Sequence, residues 1–361
     1  MMAWLMFSSG SRPEYLQNIS TFIAVPSEGE LQVRYRRKHV SDQFNDAYDT
    51  RELVGATAYL SYLDNRKKGA ASRFVPTREA RITEVLLMGE VYVIRLTAGR
   101  YFRHEDGKNP EDALRQVVPP ADLPRWVPKG LLDHKLTGFW ATKLSAKIDG
   151  SYLVEHDPVG GTHLGGFQNT ATALSDRSDF RDEARRMFFN VIDVREEKSG
   201  ASILGYPPLS VRTNQPYRLT IFHFYKESET HTDWKPFWLA VTSEVSDLQF
   251  STPTVIEIAS PYDIKEVHFS LPRFSEAPKI GLNIRLSTDV EGKALVSRTR
   301  VVVDTESPAL VARVLIIAAA LTAAQCVLIA RSGWDPIQFI ATVAVSIVVG
   351  LASVFKLPVR P

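Results

Sequence analysis

The stretch richest in catalytic residue types is Glu155-His156-Asp157-Pro-Val-Gly-Gly-Thr-His163-Leu-Gly-Gly166. His156, Asp157 and His163 are side chains that ligate metals or exchange protons near neutral pH. Their spacing fits no zinc pattern, and the interleaved proline and glycines predict an exposed, mobile loop. Because these glycines do not follow a strand and open a helix, neither the dinucleotide fingerprint nor the phosphate-binding loop applies. No Gly-x-Ser-x-Gly elbow occurs, and the single cysteine, Cys326, lies in an apolar run. The expectation is a protein that is not an enzyme and uses no cofactor or metal, with His156, Asp157 and His163 as the residual catalytic candidates. The other histidines are scattered, and His223, within Phe222-His-Phe-Tyr225, reads as a satisfied core or surface residue.

Two basic clusters could hold an anion. Arg34, Arg36, Arg37 and Lys38 end a predicted strand, and Arg66, Lys67 and Lys68 make a predicted loop. Phosphate-rich ligands, nucleic acid and lipid headgroups share the chemistry such clusters attract. The favoured reading is a solvated strand edge, where charge blocks unwanted pairing. A net charge of +2 over 361 residues is too small to mark a nucleic-acid binder, so a nucleic-acid or nucleotide ligand is not favoured.

The longest elements lie at the C-terminal end. Residues 309–330 and 337–355 are apolar runs, each on the order of 30 Å long as a helix, which matches the hydrocarbon thickness of a bilayer. Six residues, Arg331 to Pro336, separate them, so two helices would turn back on each other as a transmembrane hairpin. Arg313 would snorkel to the interface, and Arg331, Trp334, Phe355 and Lys356 suit interfacial positions. Within the runs, Thr322 and Gln325 on the first helix and Thr342, Ser346 and Gly350 on the second would pack helices against each other. Gln325 is the sharpest of these, because an amide in hydrocarbon needs a hydrogen-bond partner, within the hairpin or across protomers. Basic residues on both flanks place both ends in the cytoplasm.

Ahead of the hairpin the chain reads as mainly β, with some helix. Residues 1–118 form an N-terminal β-rich domain, with strands at 22–25 and 31–36 and a hairpin of 82–88 and 91–96 about Gly89-Glu90. Residues 52–63 allow a short helix or a strand. A connector with four prolines in twelve residues, 117–128, opens a middle segment, 119–200. There a hairpin about Asp149-Gly150 and an amphipathic helix over 178–191 are predicted. Residues 201–305 show seven short strands punctuated by prolines, at 209–212, 217–225, 237–242, 254–258, 264–271, 280–286 and 295–303, which predicts an immunoglobulin-like sandwich. With one cysteine no disulfide can form within the chain, and the N-terminus has no signal-peptide pattern, so the soluble region is expected in the cytosol.

In layout, a β-rich receiver ahead of a terminal hairpin at 309–355 resembles the transmembrane effectors of prokaryotic antiviral defence systems. The resemblance rests on architecture alone. It implies a homo-oligomer that receives a cytosolic protein partner or ligand and disturbs the lipid bilayer. A passive membrane-tethered scaffold is the alternative, and a tethered hydrolase using the 155–163 loop a third.

Overall fold

A computed structural model describes residues 3–9, 13–45, 50–64, 73–105, 107, 109–123, 140–155, 161–177, 180, 183–204, 209–226, 236–272 and 277–306. The protein is mainly β, with few helices. Strand β1 (Ala3–Ser9) is buried at every residue, as befits a strand covered on both faces. Helix α1 (Pro13–Ala24) follows, with Ile19, Phe22 and Ile23 buried at helical spacing. The sequence had suggested a strand at 22–25; four apolar residues in a row carry no period of their own, and packing against β1 decides for helix.

Strand β2 (Glu30–Arg36) alternates buried Leu31, Val33 and Tyr35 with exposed Gln32, Arg34 and Arg36. Beyond a short 3-10 turn at Arg37–His39 and helix α2 (Asp42–Asn45) comes a second such turn, Thr50–Leu53, and then β3 (Thr57–Asp64). The ambiguous stretch 52–63 thus holds both structures in succession. Strands β4 (Arg73–Met88) and β5 (Val91–Tyr101) form the expected hairpin, with Gly89 at φ +61° in the first turn position. Helix α3 (Pro110–Val117), capped by the Asn109 side chain, precedes the proline-rich stretch. Beyond that stretch, β6 (Ala141–Lys143) pairs with β1 and completes a six-stranded sheet in the order β2-β5-β4-β3-β1-β6. The β1–β3 pair is parallel and the others antiparallel. Trp140, Leu144, Ile148, Leu153 and Val154 enter the same core as β1 to β5, so this sheet and its core reach across the connector at 117–128.

Two expectations for the middle segment are corrected. Asp149-Gly150 does not turn a hairpin: Asp149 accepts from the Ser151 N–H at 2.7 Å and caps a 3-10 turn, Gly150–Tyr152. An aspartate bonding its own backbone two residues on competes with the hairpin turn. Of the helix expected over 178–191, the described residues 183–191 form instead a 3-10 turn, Glu183–Arg186, running into β7 (Met187–Glu196). Conversely the glycine-rich run is helical from Gly161 on: α4 (Gly161–Ser175) buries His163, Gly166, Phe167, Thr170, Ala171 and Leu174 along one stripe.

The remaining strands are β8 (Ser210–Arg212), β9 (Pro216–Tyr225), β10 (Phe237–Ser243), β11 (Gln249–Phe250), β12 (Val255–Ile258), β13 (Tyr262–Ser270), β14 (Lys279–Ser287) and β15 (Leu295–Glu306). They make two sheets, β12-β10-β14-β15-β8 and β11-β13-β9-β7, which face each other across a second core. All seven strands expected between 209 and 303 are present. Strand β7 is shared between the cores: Met187, Phe189 and Val191 face the sandwich, whereas Phe188 joins the first core. The runs 309–330 and 337–355 lie outside the described residues, and among those described no helix is long and apolar enough to cross a membrane.

Candidate functional site

Of the anticipated site residues, His156, Asp157, Arg66, Lys67 and Lys68 lie outside the described residues. So do the hairpin positions Arg313, Thr322, Gln325, Arg331, Trp334, Thr342, Ser346, Gly350, Phe355 and Lys356. His163 is not on an exposed loop. It is buried on α4, with its ring centroid 5.0 Å from that of Tyr101 and Nδ1 3.3 Å from the Ser27 hydroxyl. Among the described residues no group of histidine, cysteine and carboxylate side chains could hold a metal.

Around His163 lies a polar cluster that the sequence did not advertise. Arg78, on β4, has no exposed surface. Its Nε and Nη2 donate to the Gly99 carbonyl at 3.0 and 2.6 Å, and Nη2 also donates to Ser27 Oγ at 3.2 Å. Nη1 donates to the carbonyl of Val25 and, at 3.4 Å, to that of Phe22. The Tyr101 hydroxyl donates to the Ile23 carbonyl at 2.6 Å. From β7, Asn190 Nδ2 donates to that same carbonyl at 2.7 Å and to the Tyr101 oxygen at 2.9 Å. The last carbonyls of a helix have no partner within it and carry the negative end of its dipole. Here a guanidinium, a phenol and an amide supply those partners at the end of α1.

Burial works against the Arg78 charge and lowers its pKa, opposed by Tyr101 and Glu28. Burial also pushes the Tyr101 hydroxyl up to about 12. The guanidinium carbon stands 4.4 Å from the Tyr101 ring centroid, so the ring face adds to the carbonyls in compensating a charge that no carboxylate among the described residues pairs. With no solvent access, this cluster is a clamp between the first sheet and the sandwich rather than a place for substrate. One sequence signal could have exposed it: Arg78 shares strand parity with Pro76, Ala80 and Ile82, where an apolar residue belongs.

The opposite face of the sheet, which carries Arg81 rather than Arg78 and Ala80, is more open. Along β5, residues Thr97, Arg95, Val93 and Val91 point to that side, whereas a bulge between Ala98 and Tyr101 turns Tyr101 to the covered side with Arg78. In the middle, Glu30, Thr97 and Arg81 stand in one row and border a cleft of about 410 Å³ whose other wall includes Lys279 and Asp304 of the sandwich. Lys279 Nζ lies 3.7 Å from Glu30 and 3.5 Å from Asp304, and Arg95 bridges Glu84 at 2.7 Å. At the far end the face is bare. The register sets Arg34, Val93 and Leu86 in one row and Arg36, Val91 and Met88 in the next. Leu86 is 40% and Met88 65% exposed. Arg34 and Arg36 are therefore on the edge strand, as expected of edge charges, but they also border an apolar surface that their own segment does not disclose.

Compared with known proteins, the chain matches no family model and no curated protein. Among solved structures it is similar to tripeptidyl peptidase 2, at 12% identity and a TM-score of 0.23, over 40% of this chain and 11% of that one. It is also similar to the Yersinia pseudotuberculosis adhesin InvE, at 10% identity and a TM-score of 0.19, over 85% of this chain and 58% of that one. The chain thus spans less than two thirds of either protein, and likenesses at these scores say nothing of what it does.

Proposed function

We propose that the protein is a membrane-anchored effector whose β-rich region receives a cytosolic partner or ligand and whose C-terminal hairpin assembles between copies to disturb the bilayer. The observation that carries this reading is in the sequence: two apolar runs of bilayer length, separated by six residues, begin three residues after β15 ends at Glu306. A hairpin supplies two helices per chain, so a water-filled path needs several chains. Gln325 and the Thr342/Ser346/Gly350 stripe are the surfaces on which they would meet.

The sandwich is the assembling part in this reading, and its topology supports an immunoglobulin-like assignment. The first strand is split: β7 pairs antiparallel with β9 in one sheet, and β8 pairs parallel with β15 in the other. Both chain ends of the anchored protein face the cytoplasm.

Inducible expression with a membrane-potential dye tests the proposal. Depolarisation and growth arrest are expected when the chain is produced with the products of its neighbouring genes. Gln325→Leu combined with Gly350→Ile should relieve both without removing the chain from membranes. Unchanged potential in the wild type would favour a passive scaffold. Loss of activity in His156→Ala with His163→Ala, at wild-type abundance, would favour a tethered hydrolase.

A further inference from the structure

We infer that the bare end of the sheet face, Leu86, Met88, Val91 and Val93 bordered by Arg34 and Arg36, rests on an anionic lipid surface. The inference builds on the anchored reading above and adds the surface by which the folded region meets the bilayer. Three observations converge. The patch has the composition of an interfacial site: an aliphatic centre that can enter the headgroup layer, with cationic side chains at its border. Arg37 and Lys38, in the exposed turn after β2, extend the positive rim. Against these stand Glu90 in the hairpin turn and Glu84, which Arg95 neutralises. Among the described residues, Arg36, Arg37 and Lys38 make no ion pair.

The second observation is the path of the chain. Strand β15 passes the middle of this same face, where Asp304 and Lys279 approach Glu30. It ends at Glu306, and the first apolar run starts at residue 309, at most about 10 Å further on. The bare rows lie four to six residues along β5 from Thr97, roughly 13–20 Å away. A chain that enters lipid from β15 therefore holds the patch within reach of the headgroups. The third observation excludes nucleic acid as the better occupant: the patch presents aliphatic side chains and no aromatic ring on which a base could stack.

The test uses the full chain with Cys326→Ala and an environment-sensitive fluorophore on Met88→Cys, reconstituted in phosphatidylcholine vesicles with or without phosphatidylserine. Lipids carrying a nitroxide at the headgroup act as quencher. The label is expected to be quenched in the phosphatidylserine vesicles alone and released by high salt. Arg34→Glu with Arg36→Glu should shift the docked-to-undocked ratio by on the order of a hundredfold. A label on Val290→Cys, in the turn at the opposite end of β15, should stay in water throughout.

A label at 88 that remains wet in both lipids overturns the inference while leaving the anchor intact. Equal, salt-insensitive quenching in both overturns the anionic preference. A label already shielded in detergent without vesicles overturns it too, because the chain's own apolar segment or a second copy then covers the face. Flotation separates the two readings. A chain floating only with phosphatidylserine vesicles lacks the anchor but keeps the face, and one floating with neither lipid overturns both.

Discussion

Replacing Arg78 by methionine keeps most of the side-chain volume and removes every donor. The carbonyls of Gly99, Val25 and Phe22 then stay buried with fewer partners, and water cannot reach them. A buried polar group stripped of its partner costs about 1–3 kcal/mol, and more when the lost bond was charge-assisted. Some of this is offset, because the guanidinium no longer has to be desolvated. The carbonyls are main-chain atoms, however, and no apolar repacking removes them. The net loss should be about 3–5 kcal/mol, or roughly 5–8 °C in Tm for a folded region of this size. Arg78→Lys keeps the charge but not the fork that reaches several acceptors, and should lose about half as much. Thermal unfolding of the detergent-solubilised chain, followed by near-ultraviolet circular dichroism, reads the series. If Arg78→Met melts within about 1.5 °C of wild type (about 1 kcal/mol), the clamp does not hold the two cores together and the reasoning fails.

Other outcomes follow from single sites. His104 donates to the Pro76 carbonyl over 2.6 Å, and burial first, then Arg177, depress its pKa to about 4. A depressed histidine stays neutral when folded and charges more readily when unfolded, so its contribution is present above about pH 6.5 and lost as pH falls towards 4. Stability should decline by about 2 kcal/mol across that window, and His104→Gln should flatten the decline; an unaltered slope would refute the assignment. Gly166 and Gly165 offer a paired test on α4. A Cβ at 166 would meet Tyr101 Cβ at 2.9 Å and Val154 Cγ2 at 3.0 Å, whereas one at 165 meets nothing within 4 Å. Gly165→Ala should stabilise by up to about 1 kcal/mol and Gly166→Ala destabilise by about 1–3 kcal/mol, both read by chemical denaturation. Equal effects would mean that α4 does not press on β5 there.

The strands of the sandwich were legible because each buries one face. Ile280, Leu282, Ile284 and Leu286 alternate with residues open to the other side, and prolines mark the gaps. The β4–β5 hairpin was legible from Gly89, whose positive φ few other residues adopt without strain. Strand β7 was not, because both its faces are covered and Met187-Phe-Phe-Asn-Val-Ile192 shows no alternation to read. Helix α4 was hidden by Gly165 and Gly166, both poor helix formers, of which only Gly166 is required by the close approach of β5. The basic run at 34–38 was visible as charge, yet its aliphatic neighbours come from β4 and β5, some fifty residues on, and only strand register brings them alongside.

By itself, then, the sequence determined the features that depend on local pattern: short strands with one wet face, a glycine turn, and two apolar runs of bilayer length. Tertiary structure decided which elements share a core, which arginine is buried, and which apolar residues stand beside which charges. The physical reason is that burial and register are properties of pairs of segments. A residue such as Arg78 acquires its role only when the end of α1, β5 and β7 converge on it, and no window of sequence contains all of them.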